Sequence, residues 1–188
     1  MKKPFVVGIA GATQSGKTTF TNELSNALQN VRLKVFHIDH YHKTKDKQPL
    51  AEAPITKKVY TDFNSLTSFD LPQLRMDMRN EIAECSTDLI IAEGTLILYD
   101  EEILNMLDLK LYVDTGADER AVRYIESYSK YDEYNVIKNS YLDLVRYRMG
   151  EYIEPTKWRA DIILNGSKKS EQAIEMVKAY VMTKTINS

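Results

Sequence analysis

Short apolar runs alternate with stretches of helical periodicity along this chain. Phe5 to Ala10 is apolar and β-branched, and Thr18 to Gln29 carries apolar residues at helical spacing, so these segments predict a strand followed by a helix. Four later apolar runs predict further strands: Lys34 to Asp39, Leu89 to Ala92, Leu109 to Asp114 and Ala160 to Leu164. Because strands that alternate with helices are connected by right-handed crossovers, the pattern predicts an α/β fold whose central sheet has five parallel strands flanked by helices.

Several helices are predicted between and after these strands. Asp70 precedes Pro72 and an apolar stripe at helical spacing, and this combination predicts a capped helix start. Another helix begins near Asp118, with an inner stripe of Ala121, Val122 and Ile125. Two more are predicted at Val136 to Tyr152 and at Ser170 to Met182.

Two segments show no sustained period. His40 to Phe69 contains two prolines and many polar residues, and a loop of this length within a compact domain usually has a function. Ser127 to Tyr134 is polar and rich in tyrosine, which is typical of a mobile connection. We therefore expect residues 1–188 to form a single domain in which about residues 127–148 act as a lid.

Composition narrows the classes of function. The chain has 188 residues and a formal net charge of -2, and it has no block of Lys and Arg of the kind that binds nucleic acid. Its single cysteine cannot form an internal disulfide, and no apolar run reaches the roughly 18 residues of a membrane span. A cytoplasmic protein with no nucleic-acid or membrane partner is expected.

The residues after the first predicted strand carry the strongest chemical signal: Gly11, Ala12, Thr13, Gln14, Ser15, Gly16, Lys17 and Thr18. This is the phosphate-binding P-loop pattern, and it lies between a predicted strand and a predicted helix as the motif requires. Its glycines let consecutive N–H groups turn inward to bind phosphate. Lys17 is predicted to reach the β- and γ-phosphates and Thr18 to coordinate Mg²⁺, so the motif implies a nucleoside triphosphate, with ATP as the expected phosphoryl donor.

Two carboxylates are predicted to lie at the same sheet edge as this loop. Asp39 ends the second predicted strand and is the candidate general base, since a carboxylate there can accept a proton from an attacking hydroxyl. Glu93 ends the third strand, at a position from which P-loop proteins hold Mg²⁺ through water. Asp39 could instead cap a helix or lie in a surface turn, and Glu93 could cap the end of its strand.

Histidines and arginines near these carboxylates leave alternatives open. His37, His40 and His42 surround Asp39, yet a strand followed by a loop gives no assurance that three ligands converge on a metal, so contacts with substrate or solvent are preferred. Arg123 is a candidate catalytic residue because a guanidinium can stabilise a transferring phosphoryl group. Solvated helical arginines are an equal alternative for Arg123 and its neighbours.

These features together resemble the uridine kinase family over nearly the whole chain. The matching stretches are Gly11 to Thr19, Asp39 to His42, Asp62 to Asn64, Ser68 to Asp70, Glu93-Gly94, Met106 to Lys110, Val113 to Asp118, Tyr152 to Lys157 and Ala160 to Ile163. The resemblance implies a three-layer P-loop NTPase fold and an ATP- and Mg²⁺-dependent kinase that phosphorylates a hydroxyl of a nucleoside or similar metabolite. It adds Thr19 to the nucleotide-binding residues and implies Asp39, Tyr41, Phe63 and Asn64 as acceptor contacts. Uridine kinases are commonly oligomeric, so a homo-oligomer is also implied.

The chain departs from the family pattern in two places. The family carries a β-hairpin before its third strand, whereas Asp70 and Asp88 here are separated by only a helix's length of chain. Tyr124 and Ser127 replace two lid arginines of the family. Two alternatives therefore remain: an enzyme similar to the nicotinamide riboside kinases, and a nucleotide-binding module with little or no kinase activity.

Overall fold

The computed structural model describes residues 2–185, which contain seven strands. They are β1 (Phe5–Ala10), β2 (Leu33–His37), β3 (Leu50–Glu52), β4 (Val59–Thr61), β5 (Leu89–Glu93), β6 (Leu109–Asp114) and β7 (Ile162–Asn165). Five of them form one parallel sheet in the order β2-β5-β1-β6-β7. The predicted five-stranded α/β fold is therefore confirmed.

Helices cover both faces of this sheet. They are α1 (Lys17–Ala27), α2 (Leu71–Glu84), α3 (Glu101–Leu104), α4 (Ala117–Tyr128), α5 (Tyr134–Ser140), α6 (Arg146–Arg148) and α7 (Glu171–Thr185). Successive strand residues point to opposite faces, so Val6 joins a core with α2, while Val7 joins a second core with α1 and α7. Every residue of β5 is buried, as its continuous apolar run predicts for a strand covered on both faces.

The helical segment after α5 contains two wider turns. Tyr141–Val145 and Met149–Ile153 are π-helical and flank α6, and the 3₁₀-helix Glu154–Arg159 completes the segment. The prediction of a helix at Val136 to Tyr152 is thus confirmed in outline. π-helical turns occur often at functional sites, because they shift the side chains on either side of the extra residue.

Two local predictions are corrected. The second strand ends at His37, because Ile38–Tyr41 turns into a 3₁₀-helix in which the His42 N–H donates to the Asp39 carbonyl at 3.4 Å. Val122 is 56% exposed rather than inward. Arg120 occupies the inner face of α4 instead, since its guanidinium donates to the Thr115 carbonyl and to Glu154.

The long segment from His40 to Phe69 contains more structure than its sequence predicts. β3 and β4 form a small antiparallel hairpin inside it, and their outer residues Leu50 and Val59 are exposed. Strands of three residues are too short to show a period. The family's hairpin before the third central strand is absent, as predicted, because residues 85–88 alone separate α2 from β5. Across residues 2–185 no helix is both long and apolar enough to cross a bilayer.

Candidate active site

The P-loop connects β1 to α1 at the carboxyl edge of the sheet. Gly16 and Gln14 adopt left-handed backbone angles, with φ of 92° and 61°. Glycine takes this conformation freely, whereas a non-glycine residue such as Gln14 takes it at a cost that is common at functional sites. The Ser15 hydroxyl oxygen is buried and has no hydrogen-bond partner among the described residues. The loop therefore combines an anion-binding backbone with a free buried hydroxyl, as a phosphate site requires.

Glu93 is the centre of a polar cluster beside this loop. Its Oε1 accepts a hydrogen bond of 3.0 Å from Thr18 Oγ1 and lies 3.7 Å from Lys17 Nζ. Its Oε2 lies 2.7 Å from His37 Nδ1. Glu93 is only 2% exposed, so these partners satisfy its carboxylate oxygens in place of water. The register of the sheet explains the cluster, since β2 pairs with β5 so that His37 lies opposite Glu93.

The donor atoms of this cluster fit Mg²⁺. A hydroxyl and a carboxylate that lie 3.0 Å apart are oxygen ligands, and Mg²⁺ is held by one or two such groups together with water and phosphate oxygens. Within residues 2–185 no group of three or more His, Cys, Asp or Glu side chains is arranged to hold a metal. The three histidines near Asp39 are thus not gathered as a zinc site would need, and His37 contacts Glu93 instead.

Asp39 and the P-loop residue Lys17 both line a cavity of about 410 Å³. Its side chain is 62% exposed, so it can meet a substrate. The cavity is lined by Thr13, Lys17, Asp39, His42, Phe63, Asn64, Phe69, Thr95, Tyr124, Tyr128, Tyr131, Asp132, Val136, Ile137 and Ser140. This volume suits a small metabolite, and the lining combines apolar faces with a few polar groups, as ligand sites do.

Aromatic rings form much of the cavity wall. His42 stacks on Phe69 with 4.1 Å between ring centroids, and burial lowers the pKa of His42 against the opposing effect of Asp39. Tyr124 lies 4.5 Å from the Tyr128 ring, and burial raises its pKa to about 12. Both side chains are therefore neutral at pH 7. The position where the family has a lid arginine is here occupied by a ring.

A second cavity, of about 330 Å³, adjoins the P-loop beside α1 and β7. Gln14, Thr19 and Arg123 line it. The Arg123 guanidinium donates to the carbonyls of Gln14 at 3.2 Å and Gly166 at 3.1 Å and also pairs with Glu119. Arg123 is thus directed to this cavity and to the P-loop backbone rather than to the cavity that Asp39 lines.

The predicted acceptor contacts divide into two groups. Phe63 and Asn64 line the same cavity as Asp39, as the resemblance implies. Tyr41 does not, because its hydroxyl donates to Asp77 on α2 at 2.8 Å. Burial and this hydrogen bond raise the pKa of Tyr41 well above its usual range. We therefore leave Tyr41 out of the acceptor site.

Comparison with known proteins identifies the family. Residues 75–173 match the model of the phosphoribulokinase/uridine kinase family. The chain belongs to this family. A uridine kinase from Lactobacillus helveticus (strain DPC 4571) is 31% identical to it, and the alignment covers 94% of this chain and 93% of that protein. The chain is thus a P-loop kinase of the uridine kinase type.

Solved structures of other P-loop kinases share the fold of this kinase. A chain described as a possible uridine kinase from Bacillus stearothermophilus is 22% identical, with a TM-score of 0.56 over 88% of this chain and 90% of that one. Shikimate kinase from Acinetobacter baumannii is 15% identical, with a TM-score of 0.53 over 98% of this chain and 94% of that one. At these identities the likeness concerns the architecture alone.

Two contacts near the site are not predicted by the sequence. Asp62 is 1% exposed, and its carboxylate accepts a 2.6 Å hydrogen bond from Arg148 Nε. Of the three histidines near Asp39, it is His37 that contacts Glu93. The pairing of β2 with β5 predicts the second contact once strand order is known, whereas no sequence signal marks the first.

Proposed function

We propose that this kinase transfers the γ-phosphoryl group of ATP to a hydroxyl of a nucleoside or similar small metabolite. The observation that carries this proposal is that Asp39 and Lys17 line one cavity. A potential base and the predicted phosphate-binding lysine then face the same bound molecule. The Thr18 and Glu93 pair adjoins Lys17 and completes the donor side.

The transfer assigns one step to each side chain. The acceptor oxygen forms a bond to the γ-phosphorus as the bond from that phosphorus to the bridging oxygen of ADP breaks, and Asp39 accepts the hydroxyl proton. Lys17 stabilises negative charge on the phosphates. Phe63 and Asn64 orient the acceptor, Phe63 by contact with a ring and Asn64 by hydrogen bonding. The aromatic wall excludes water from the reacting atoms.

Thr18 and Glu93 are the proposed holders of Mg²⁺, because their oxygen atoms match its preference. When bound, Mg²⁺ neutralises the charge that develops on the phosphates. His37 keeps the Glu93 carboxylate in place through the 2.7 Å contact between His37 Nδ1 and Glu93 Oε2. Such support of a metal-binding carboxylate commonly affects metal affinity.

The cavity beside α1 is proposed to receive the nucleotide base. It adjoins the P-loop at Gly16 and Thr19, so phosphates bound in the loop would extend from it. Arg123 is proposed to act here as a positioning residue, since it holds the Gln14 and Gly166 carbonyls together. Its predicted catalytic role stays a prediction.

A second candidate acceptor is a positively charged nucleoside, as in an enzyme similar to the nicotinamide riboside kinases. Asp39, Asp132, Tyr128 and Tyr131 all line the acceptor cavity. Carboxylates and aromatic faces together favour a cationic ring over a neutral one. Neutral and cationic nucleosides therefore both belong in an acceptor screen.

The proposal is tested by measuring ADP release with ATP, Mg²⁺ and a panel of neutral and cationic nucleosides, sugars and other hydroxylated metabolites. At least one acceptor is expected to raise ADP release well above the acceptor-free rate. Release that is the same with and without every acceptor would favour the nucleotide-binding module instead.

A further inference from the structure

A partly buried ion pair joins residues 62–68, which we call the acceptor loop, to the helical segment after α5, with 1% of the Asp62 side chain and 21% of the Arg148 side chain exposed. Arg148, the last residue of α6, donates from Nε to Asp62 Oδ2 at 2.6 Å and from Nη1 to Glu151 at 2.7 Å. Burial lowers the pKa of Arg148, but these hydrogen bonds outweigh burial and the net pKa lies above its usual range. Desolvation of the buried Asp62 carboxylate offsets much of the attraction within this pair, so the pair is a poor source of stability and its value lies in fixing a geometry.

On one side, the Asp62 carboxylate organises the turn that carries the acceptor contacts. Asp62 Oδ1 accepts a hydrogen bond of 2.9 Å from the Asn64 N–H. The backbone carbonyl of Asp62 accepts a second one, of 2.5 Å, from Ser68 Oγ. Phe63 and Asn64 line the Asp39 cavity, whereas neither Asp62 nor Arg148 is among the side chains that line it. The pair therefore acts on the cavity only through its neighbours.

On the other side of the pair, the helical segment contacts the P-loop through Met149, the residue after Arg148. Met149 is buried, and its sulfur accepts a 3.3 Å hydrogen bond from the Thr13 N–H. Arg148 and Met149 thus connect the acceptor loop and the donor loop through two adjacent residues. Asp143 provides a further anchor, since it accepts from Tyr60 at 2.6 Å and Thr56 at 3.0 Å on the β3-β4 hairpin.

We propose that Arg148 and Asp62 are positioning residues that set the affinity for the phosphoryl acceptor by fixing Phe63 and Asn64 relative to the P-loop. This inference rests on the proposed function, because it concerns the same acceptor. We expect ATP binding to be kept, because neither Asp62 nor Arg148 lines the cavity beside α1 that is proposed to receive the nucleobase.

The test compares Arg148→Met, Asp62→Asn and the double variant with wild-type protein. Each single change is expected to raise the acceptor KM about tenfold, with the ATP KM unchanged and kcat within about threefold. The double variant is expected to match the single variants, because both remove one shared interaction. Asp62→Asn keeps the side-chain volume and an oxygen for the Asn64 N–H, so it keeps the test available should Arg148→Met fail to fold.

A matched control exists at the other end of the sheet. Arg32 and Asp88 form an ion pair with two side-chain hydrogen bonds of 2.9 and 2.6 Å at the amino end of β5. Arg32→Met and Asp88→Asn are expected to leave the acceptor KM unchanged. A purely structural role for Arg148 would lower the melting temperature and the active fraction without this selective rise in the acceptor KM.

Hydrogen–deuterium exchange supplies a readout that is independent of turnover. Amides of residues 62–68 are expected to exchange faster in Arg148→Met than in wild-type protein, whereas those of β5 are not. Unchanged exchange, or faster exchange with an unchanged acceptor KM, would overturn the inference. Wild-type protein that phosphorylates no acceptor would refute the proposed function, and the exchange comparison would still decide whether the pair holds the loop.

Discussion

Thr18 Oγ1 donates a 3.0 Å hydrogen bond to Glu93 Oε1 and so joins the P-loop helix to the end of β5. The two residues are distant in sequence, but β1 and β5 are neighbours in the sheet, so their carboxyl ends meet. This contact places the two side chains of the proposed magnesium site next to each other. Preorganised groups of this kind need little rearrangement during phosphoryl transfer.

Replacement of the Glu93 carboxylate by an amide is expected to weaken the proposed magnesium site. Glu93→Gln keeps the size of a fully buried side chain but removes its charge, so the Mg²⁺ concentration for half-maximal activity should rise roughly 10- to 100-fold. A magnesium titration of ADP release measures this shift. Glu175→Gln, at an exposed carboxylate on α7 that lines neither cavity, serves as control. An unchanged magnesium dependence in Glu93→Gln would remove Glu93 from the proposed site.

The half-buried His42 is expected to make stability depend on pH. Its pKa is lowered in the folded protein by burial, so the unfolded chain binds the proton more readily. Stability should therefore fall as the pH drops below the ordinary histidine pKa of about 6.5, by less than about 1.4 kcal/mol per pH unit for a single proton. His42→Phe keeps the stack on Phe69 and should reduce this slope.

Denaturant unfolding at pH 7.5 and at successively lower pH values measures the slope in both proteins. A slope that is equal in wild type and His42→Phe would show that other groups cause the dependence.

A methyl group at Gly94 is expected to lower the stability of the fold and to displace Asp39, the proposed general base. A Cβ atom there would overlap the side chain of Ile38, the residue before Asp39. Gly94→Ala should therefore cost about 1–3 kcal/mol of unfolding free energy and lower turnover by displacing the turn that carries Asp39. Gly150→Ala is the matched control, because a Cβ at that position meets nothing within 4 Å. Equal melting temperatures for Gly94→Ala and wild type would contradict this packing.

The central sheet and the donor site follow from local sequence. β5 is predicted by its unbroken apolar run, and the P-loop by residues at fixed spacing between a strand and a helix. Asp39 and Glu93 were predicted at one sheet edge because parallel strands share an edge for their carboxyl ends. These features are determined by interactions among residues close in sequence or by general rules of sheet topology, so the sequence alone predicts them.

The remaining features depend on contacts between distant segments. The ion pair between Asp62 and Arg148 joins two distant positions, and neither residue type predicts the other as its partner. The strands of the β3-β4 hairpin are too short to show an alternation of apolar and polar residues. The direction of Arg123 depends on where the Gly166 carbonyl lies, and that of Tyr41 on Asp77 in α2. Tertiary packing decides these orientations, so residue type and spacing alone could not.

Transfer of a labelled γ-phosphoryl group from ATP to an acceptor tests the central claim most directly. For the best acceptor of the screen, wild-type protein should form a labelled phosphorylated product. Asp39→Asn should lower kcat by about 10²- to 10⁴-fold with the ATP KM largely kept, because only the proton acceptor is lost. Lys17→Ala should impair nucleotide binding as well as kcat. Labelled product formed by Asp39→Asn at the wild-type rate, or no labelled product from wild-type protein with any acceptor, would contradict the account.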